Sequence, residues 1–254
     1  MRLLLANPNT TQAVTDTIAA AARAVASPGT EIVAVTARFG ARVIGTRAEM
    51  AVAEHASLDL IARHAPGCDA IIVGASTDSG LRAGREAFAA PVLGLTESAL
   101  HIACLTGGRF GTLTLSARSG HALREMIDGY GLAGRCAASR VIDTTPLALL
   151  ERPEEVAALL ANAARRLVAE DGADVVVLVG AVMAAMPGRV QPHVDVPVIE
   201  GVSCAVALAE ALVRLRLPKP RAGSYALLPP RQTAGLDGPL DGSLADLFSK
   251  GGTP

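Results

Sequence analysis

The chain has 254 residues, half of them hydrophobic, and 23 basic against 24 acidic residues leave a formal net charge of −1. This near-neutral balance, with aromatics at 2% and no tryptophan, argues against a nucleic-acid partner, which would need a cationic footprint and stacking rings. The apolar runs are short and strand-like, and the long helical patterns carry charges such as Arg23, Arg165 and Arg166, so no segment is composed to cross a bilayer.

In chain order, residues 2–6 read as a first strand that stops at Asn7-Pro8-Asn9, too short a run for a signal peptide. Asn9 is expected to cap the next helix, with Gln12 reaching back and Val14, Ile18, Ala21 and Val25 sharing one face. Pro28-Gly29 ends that helix. Residues 31–37 predict a second strand, 48–63 a helix, 70–75 a third strand and 91–95 a fourth. A second round follows, with a helix over 96–105, a strand over 111–115, a helix from Ser119 and a strand over 139–142. The helix over 154–169 has Pro153 in its first turn, a buried stripe of Val156, Leu159, Leu160, Ala163 and Leu167, and Gly172 as its stop. Strands over 175–179 and 196–200 and a helix over 202–215, expected to pack back on the first half, complete the series. Such alternation predicts a layered, parallel α/β structure.

After Leu217 the composition turns to Pro218, Pro220, Gly223, Pro229, Pro230, Gly235, Gly238 and Pro239, the signature of an extended arm or tail. Within it, Leu244, Leu247 and Phe248 either dock on a partner subunit or belong to a frayed end. The expected organisation is residues 1–97 plus 203–217 as one half, 98–202 as the other, and 218–254 as the arm.

One segment occurs twice. Asp69-Ala-Ile-Ile-Val-Gly-Ala75 leads to Pro91-Val-Leu-Gly after 22 residues, and Asp174-Val-Val-Val-Leu-Val-Gly180 leads to Pro197-Val-Ile-Glu after 23. Each copy reads as a buried parallel strand, a loop-helix return and a second buried strand. Ala75 and Gly180 thereby occupy equivalent places at strand carboxyl ends, where open α/β sheets bind ligands. Cys68, Cys104, Cys136 and Cys204 show neither paired metal spacing nor a disulfide framework. They read as the reduced thiols of a cytoplasmic protein.

With Asn7-Pro8-Asn9-Thr10, the 69–81 segment ending Asp78-Ser79-Gly80-Leu81, Pro91-Val-Leu-Gly-Leu-Thr-Glu97, residues 179–183, Pro197-Val-Ile-Glu-Gly201-Val202 and Arg221-Ala-Gly-Ser-Tyr225-Ala in this order, the chain resembles the aspartate/glutamate/hydantoin racemase superfamily, nearest its hydantoin and allantoin racemase branch. The resemblance implies two pseudo-symmetric parallel-sheet α/β halves, a cofactor-free site in the cleft between them, a small-molecule substrate and a homo-oligomer. It also implies one cysteine from each half flanking the stereocentre, one thiolate removing the α-proton and the opposite thiol reprotonating the other face. Gapless matching puts Ala75 and Gly180 at those two positions. Neither carries a proton-transfer group, and a positioned acid or base contributes typically about 10²- to 10⁴-fold. Cys68, before the third strand, and Cys204, inside the last helix, read as inert core thiols.

Other residues remain for chemistry. Ser76 and Thr77 suit an oxyanion or, equally, strand-end capping, and Asp78 reads as a helix cap. Asn7 and Asn9 offer amide donors and acceptors to a planar ureide ring. Ser116 and Arg118 suit an anion or carbonyl, with a solvated Arg118 as the alternative, and Ala181 follows Gly180 into the same loop. Glu97 reads as a first-turn acid, while Glu200 is a candidate base if burial raises its pKa. A metal is not expected, since His193 with Asp195 lacks a third ligand. The expected function is that of a superfamily enzyme acting on a hydantoin-like ureide or amino-acid-derived carboxylate through an enolate- or oxyanion-stabilising site. Its reaction would have moved away from ordinary two-cysteine racemisation, for the superfamily also holds decarboxylases and maleate isomerases. The alternatives are a catalytically silent ligand-binding homologue, or a hydrolase or lyase using His193 and a metal.

Overall fold

A computed structural model describes residues 1–227, 229–232 and 243–250. Among these, eight strands form two four-stranded, wholly parallel sheets. The first has β1 (Arg2–Asn7), β2 (Glu31–Thr36), β3 (Ala70–Val73) and β4 (Val92–Gly94) in the order β2-β1-β3-β4; the second has β5 (Phe110–Thr114), β6 (Cys136–Val141), β7 (Val175–Leu178) and β8 (Val198–Glu200) in the order β6-β5-β7-β8. The orders are the same, as the sequence repeat requires. Helices α1 (Gln12–Val25), α2 (Arg47–His64), α3 (Leu81–Ala87), α4 (Leu95–Thr106), α5 (Ala117–Gly129), α6 (Pro146–Glu151), α7 (Pro153–Asp171), α8 (Pro187–Val190), α9 (Gly201–Leu215) and α10 (Ser243–Lys250) complete the described elements. Two compact units result, Met1–Gly94 with Val206–Pro254 and Leu95–Ala205, and the boundary falls inside α9.

The central strands are apolar on both faces because helices cover both. Leu3, Leu4, Leu5 and Ala6 of β1, all of β3, and Val175, Val176 and Val177 of β7 are fully buried. A single wiring scheme fixes register in both sheets. The Asp69 carboxylate accepts the backbone N–H of Arg2 at 2.6 Å, and the Asp174 carboxylate accepts that of Arg109 at 2.8 Å. One strand on, Ile71 donates its N–H to the carbonyl of Pro91 and Val176 to that of Pro197, both at 2.9 Å. The repeated Asp and Pro are therefore the start clamps of β3–β4 and β7–β8.

Some local expectations shift. Asn9 does not cap α1; the cap position is Thr11, whose N–H donates to the Asn9 side chain at 2.9 Å, while Gln12 bonds Thr36 and Asp16 instead. The buried face of α1 is Thr15, Ile18, Ala19 and Ala22, rotated from the predicted stripe so that Val25 is 45% exposed. Buried polar bonding of Asn7 to Thr15 turns the helix this way. In α7, Pro153 opens the helix and Gly172, at φ +70°, closes it, with Ala173 N–H on the Leu167 carbonyl; Leu159 is largely exposed and Ala157, Ala161 and Ala164 are buried in its stead. The capping box of Thr46 and Glu49 at the start of α2, the short α3 and α6, and α10 carry no strong periodic signal.

Leu247 of α10 is buried in the chain's own first core, beside residues of α2, and Phe248 packs against the same cluster. Their apolar surface is thus covered intramolecularly. Gly235, Gly238, Pro239 and the Leu244 side chain lie outside the described residues. No described helix is long and apolar enough to cross a membrane.

The last helix is tied into the first unit by Glu210. Its buried carboxylate accepts the Ser27 N–H at 2.9 Å, the Thr30 hydroxyl at 2.7 Å, the Ser27 hydroxyl, and the Arg214 guanidinium at 2.9 Å. Burial alone would raise its pKa, but the donors from Ser27 and Thr30 with Arg214 outweigh it and hold the carboxyl below its ordinary value. A carboxylate with a depressed folded pKa stabilises the fold above its unfolded pKa of about 4.3 and loses that contribution as pH falls through the folded value. Glu210→Gln is expected to cost about 2 kcal/mol at pH 7, with the gap from the unsubstituted chain closing below about pH 4, as urea titrations across pH will read.

Candidate active site

At the carboxyl end of the first sheet, two loops leave adjacent strands. Gly74 donates its N–H to the Ala6 carbonyl at 2.7 Å, which holds the end of β3 against the end of β1. A side chain at Gly74 would meet Ile18 at 2.8 Å and the Ala6 carbonyl at 3.1 Å, so this close approach requires glycine. Asn7 is fully buried and spends its amide inside the protein. Its Nδ2 donates to Asn9 at 3.1 Å and Thr15 at 2.9 Å, and its Oδ1 accepts the Asn9 N–H at 3.2 Å. Asn9, 7% exposed, accepts through Oδ1 from both Asn7 and Thr11. The pair shapes the first loop.

The second loop begins at Ala75, where the sequence resemblance implies a thiol. Ala75 is buried, Ser76 and Thr77 are half-buried, and the turn closes where Asp78 donates its N–H to the Ala75 carbonyl at 3.1 Å. Asp78 is left-handed, at φ +47°, as is Gly80 at +85°. A non-glycine residue there is uncommon, and Asp is among the residues that tolerate it best. The Asp78 carboxylate presses on Gly94 at the end of β4, where an added methyl would come within 2.4–2.6 Å of it. Thr77 Oγ1 and Ser79 Oγ share a hydrogen bond of 2.8 Å, and Ser57 of α2 donates its hydroxyl to the Ser79 carbonyl at 2.7 Å.

At the carboxyl end of the second sheet, Val179 donates its N–H to the Leu113 carbonyl at 2.8 Å, the counterpart of the Gly74 bond. Gly180 is half-buried and starts the turn Ala181–Ala185, with Met183 N–H on its carbonyl at 2.8 Å. A Cβ built on Gly180 meets nothing closer than the Met183 side chain at 3.4 Å, so the position has room for a side chain. Ala181 beside it is half-buried. Ser116, at φ +140°, caps α5 by accepting the Ser119 N–H at 3.3 Å, and Arg118 is exposed in the first turn of that helix.

Glu200 ends β8, paired with Leu178, and is 3% exposed. Its two oxygens accept the backbone N–H groups of Val202 and Ser203, each at 2.6 Å, which makes it the cap of α9. Burial pushes its pKa up, against those same hydrogen bonds from Ser203 and Val202, which lower it. Glu97 sits half-buried in the first turn of α4, as its position in sequence implies.

The existing thiols do not replace the missing pair by chemistry. Cys204 is buried and its pKa is pushed up to about 12, by burial and then by Glu200; a thiol of that pKa is not a useful base near neutrality. The Cys68 thiol is also raised, chiefly by burial, and donates to the His64 carbonyl at 3.4 Å. Among the described residues no three His, Cys, Asp or Glu side chains gather to hold a metal; His193 and Asp195 are exposed.

Sequence reasoning missed Ser57, Thr15 and Gly94. A serine or threonine inside a helix carries no local mark of a distant partner, and Gly94 reads as an ordinary strand end. The one available signal is that Thr15 is polar beside the buried Ile18, Ala19 and Ala22 of α1, and Ser57 beside the buried Ala53, Ala56, Leu60 and Ile61 of α2.

Comparison with known proteins places this geometry. The family model described as Asp/Glu/Hydantoin racemase matches residues 3–209. A hydantoin racemase from a Pseudomonas species is 33% identical over 85% of this chain and 87% of its own, and one from Rhizobium meliloti is 33% identical over 89% and 94%. The structure of an allantoin racemase from Klebsiella pneumoniae superposes with a TM-score of 0.88 at 36% identity, covering 94% of this chain and 98% of that one. The chain therefore belongs to the Asp/Glu/hydantoin racemase family, in its hydantoin and allantoin racemase-like branch.

Proposed function

We propose that the protein binds a small hydantoin-like ureide or an amino-acid-derived carboxylate and stabilises its enolate or a related oxyanion, without the two-thiol racemisation of its relatives. The observation that carries this reading is the Ala75–Gly80 loop. It keeps a specialised backbone, with left-handed Asp78 and Gly80, while the thiol position itself holds a methyl group. A chain that had shed all ligand chemistry would gain by relaxing Asp78, because a non-glycine residue in the left-handed region costs about 1–2 kcal/mol.

In this reading Ser76 and Thr77, with their backbone N–H groups, face the developing negative charge, where fixed donors favour the transition state over the ground state. Asn9 orients the ring, with Asn7 behind it. The proton acceptor is Glu200 or a water held by the loop. The chemistry is an isomerisation, a lyase step or a hydrolysis, needs no cofactor and takes place in the cytoplasm, and the protein is a homo-oligomer.

The second reading, a silent binding homologue, is favoured by the loss of both thiols at once, since a methyl group and a hydrogen transfer no protons. Incubation with hydantoin and allantoin in heavy water separates the two. Deuterium entry at the ring carbon above the buffer rate supports proton abstraction; thermal stabilisation by the ligand with no exchange or product supports binding alone. Neither response from any ureide or amino-acid carboxylate would defeat both.

Two variants sharpen the assignment. Ala75→Cys with Gly180→Cys, the latter where a Cβ would meet nothing closer than Met183 at 3.4 Å, is expected to raise ring-carbon exchange by about 10²- to 10⁴-fold and to bring in racemisation detectable by polarimetry; no gain would show that the loops do not hold a substrate in the orientation two-thiol chemistry needs. Glu200→Gln keeps an acceptor for the α9 amides. If Glu200 is the base, exchange falls at least tenfold with little change in melting temperature; a change in melting temperature alone assigns it to capping.

A further inference from the structure

We propose that Ser57, in the middle of α2, is a positioning residue for this site, holding the Ala75–Gly80 loop in the form that presents Ser76 and Thr77. The inference rests on the oxyanion reading of that loop.

Ser57 is fully buried, and its hydroxyl donates to the Ser79 carbonyl at 2.7 Å across 22 residues of sequence. Ser79 is itself 3% exposed, so its carbonyl has no bulk water to serve as a substitute donor. The contact extends beyond one hydrogen bond. A Cβ on Gly80 would lie 2.8 Å from the Ser57 Cβ and 3.1 Å from the Glu54 carbonyl, so the loop backbone lies directly on α2 at this point. Gly80 is left-handed because no side chain fits there and because the chain must reverse into α3. Serine suits the helix side of the contact, being small enough for the close approach and carrying the donor that the loop carbonyl needs.

The consequence runs from Ser57 to the site through a short chain of contacts. Ser57 fixes the Ser79 carbonyl, the Ser79 hydroxyl pairs with that of Thr77, and Asp78 between them is pinned against Gly94. With Ser79 and Asp78 fixed, the Ala75-to-Asp78 turn has its far end anchored, and Ser76 and Thr77 are held between two fixed points. Fixed donors stabilise a developing charge without reorganising, which is what the oxyanion reading demands of them. A serine that only filled space could be replaced by alanine with no effect on that loop.

The test uses the full chain with Ser57→Ala and Ser57→Cys, the latter keeping a weak donor at similar size. Amide hydrogen exchange is measured residue by residue, alongside the thermal shift and ring-carbon exchange with hydantoin. The expected result for Ser57→Ala is at least tenfold faster exchange of the amides over 76–80, with β1 and β3 still protected and the melting temperature reduced by a few degrees. The hydantoin response falls at least tenfold, and Ser57→Cys is intermediate in both. Loop amides that stay protected in Ser57→Ala, or amides throughout the first unit that accelerate together, would overturn the proposal, as would a loosened loop with an unchanged hydantoin response. If the unsubstituted protein gives no hydantoin response, it is the oxyanion reading that fails, and the amide pattern decides by itself whether Ser57 holds the loop.

Discussion

Both sheets of this protein hang on the pairing of their two central parallel strands, β1 with β3 and β5 with β7. Each pair is clamped at its start by an aspartate that accepts the first backbone N–H of the neighbouring strand, and at its end by an N–H to a carbonyl of that same neighbour. Strands that are apolar on both faces do not resist a one-residue slip by burial alone; the clamps set the register, because a shift would orphan the aspartate and the terminal carbonyl. What leaves the strands at their carboxyl ends is consequently aimed by the core. The loops after Val73 and Leu178 owe their placement to residues that take no part in chemistry.

That constraint lets a chain of this family carry non-ionisable residues at two strand ends with its turns formed. Ala75 and Gly180 bear a methyl group and a hydrogen there, and the turn following each is closed, by Asp78 N–H on Ala75 and Met183 N–H on Gly180. Ala75 is small and buried, and a Cβ at Gly180 would make ordinary contact with Met183 at 3.4 Å. Fold and chemistry are separable because the fold's energy lies in strand burial. The buried polar groups fall into the same division. Asn7, Glu200 and Glu210 all spend hydrogen bonds on the protein's own backbone and side chains.

The fold class and the succession of strands along the chain were legible because they depend on periodicity and on an internal repeat, both properties of short windows. The Asp-to-Pro repeat marks the starts of β3 and β4 and of β7 and β8 almost to the residue. Helix α7 was legible for the same reason, since Pro153 and Gly172 punctuate it chemically. The α1 cap was not. Asn9 has the right composition for a cap, but a buried asparagine two residues earlier competes for its side chain and moves the cap to Thr11. In α7 the predicted stripe was right at Val156, Leu160 and Leu167 but included Leu159, where the buried face instead runs through Ala157, Ala161 and Ala164. The segment after Leu217 read as an arm, whereas Leu247 seats α10 against α2.

The sequence by itself determined that this is a parallel α/β chain of the racemase family, with strand ends at Ala75 and Gly180 and no thiol at either. Those are statements about the identity and spacing of residues, and nothing in folding alters them. Tertiary structure alone decided what the surrounding polar residues do: that Glu200 caps α9, that Asn7 is consumed within its own loop, and that Ser57, 22 residues from Ser79, supplies the bond that holds the site loop. A side chain's chemistry is written in its type, but its partner is fixed by distance, and distances between remote residues exist only after the strands have paired and the helices have packed on them.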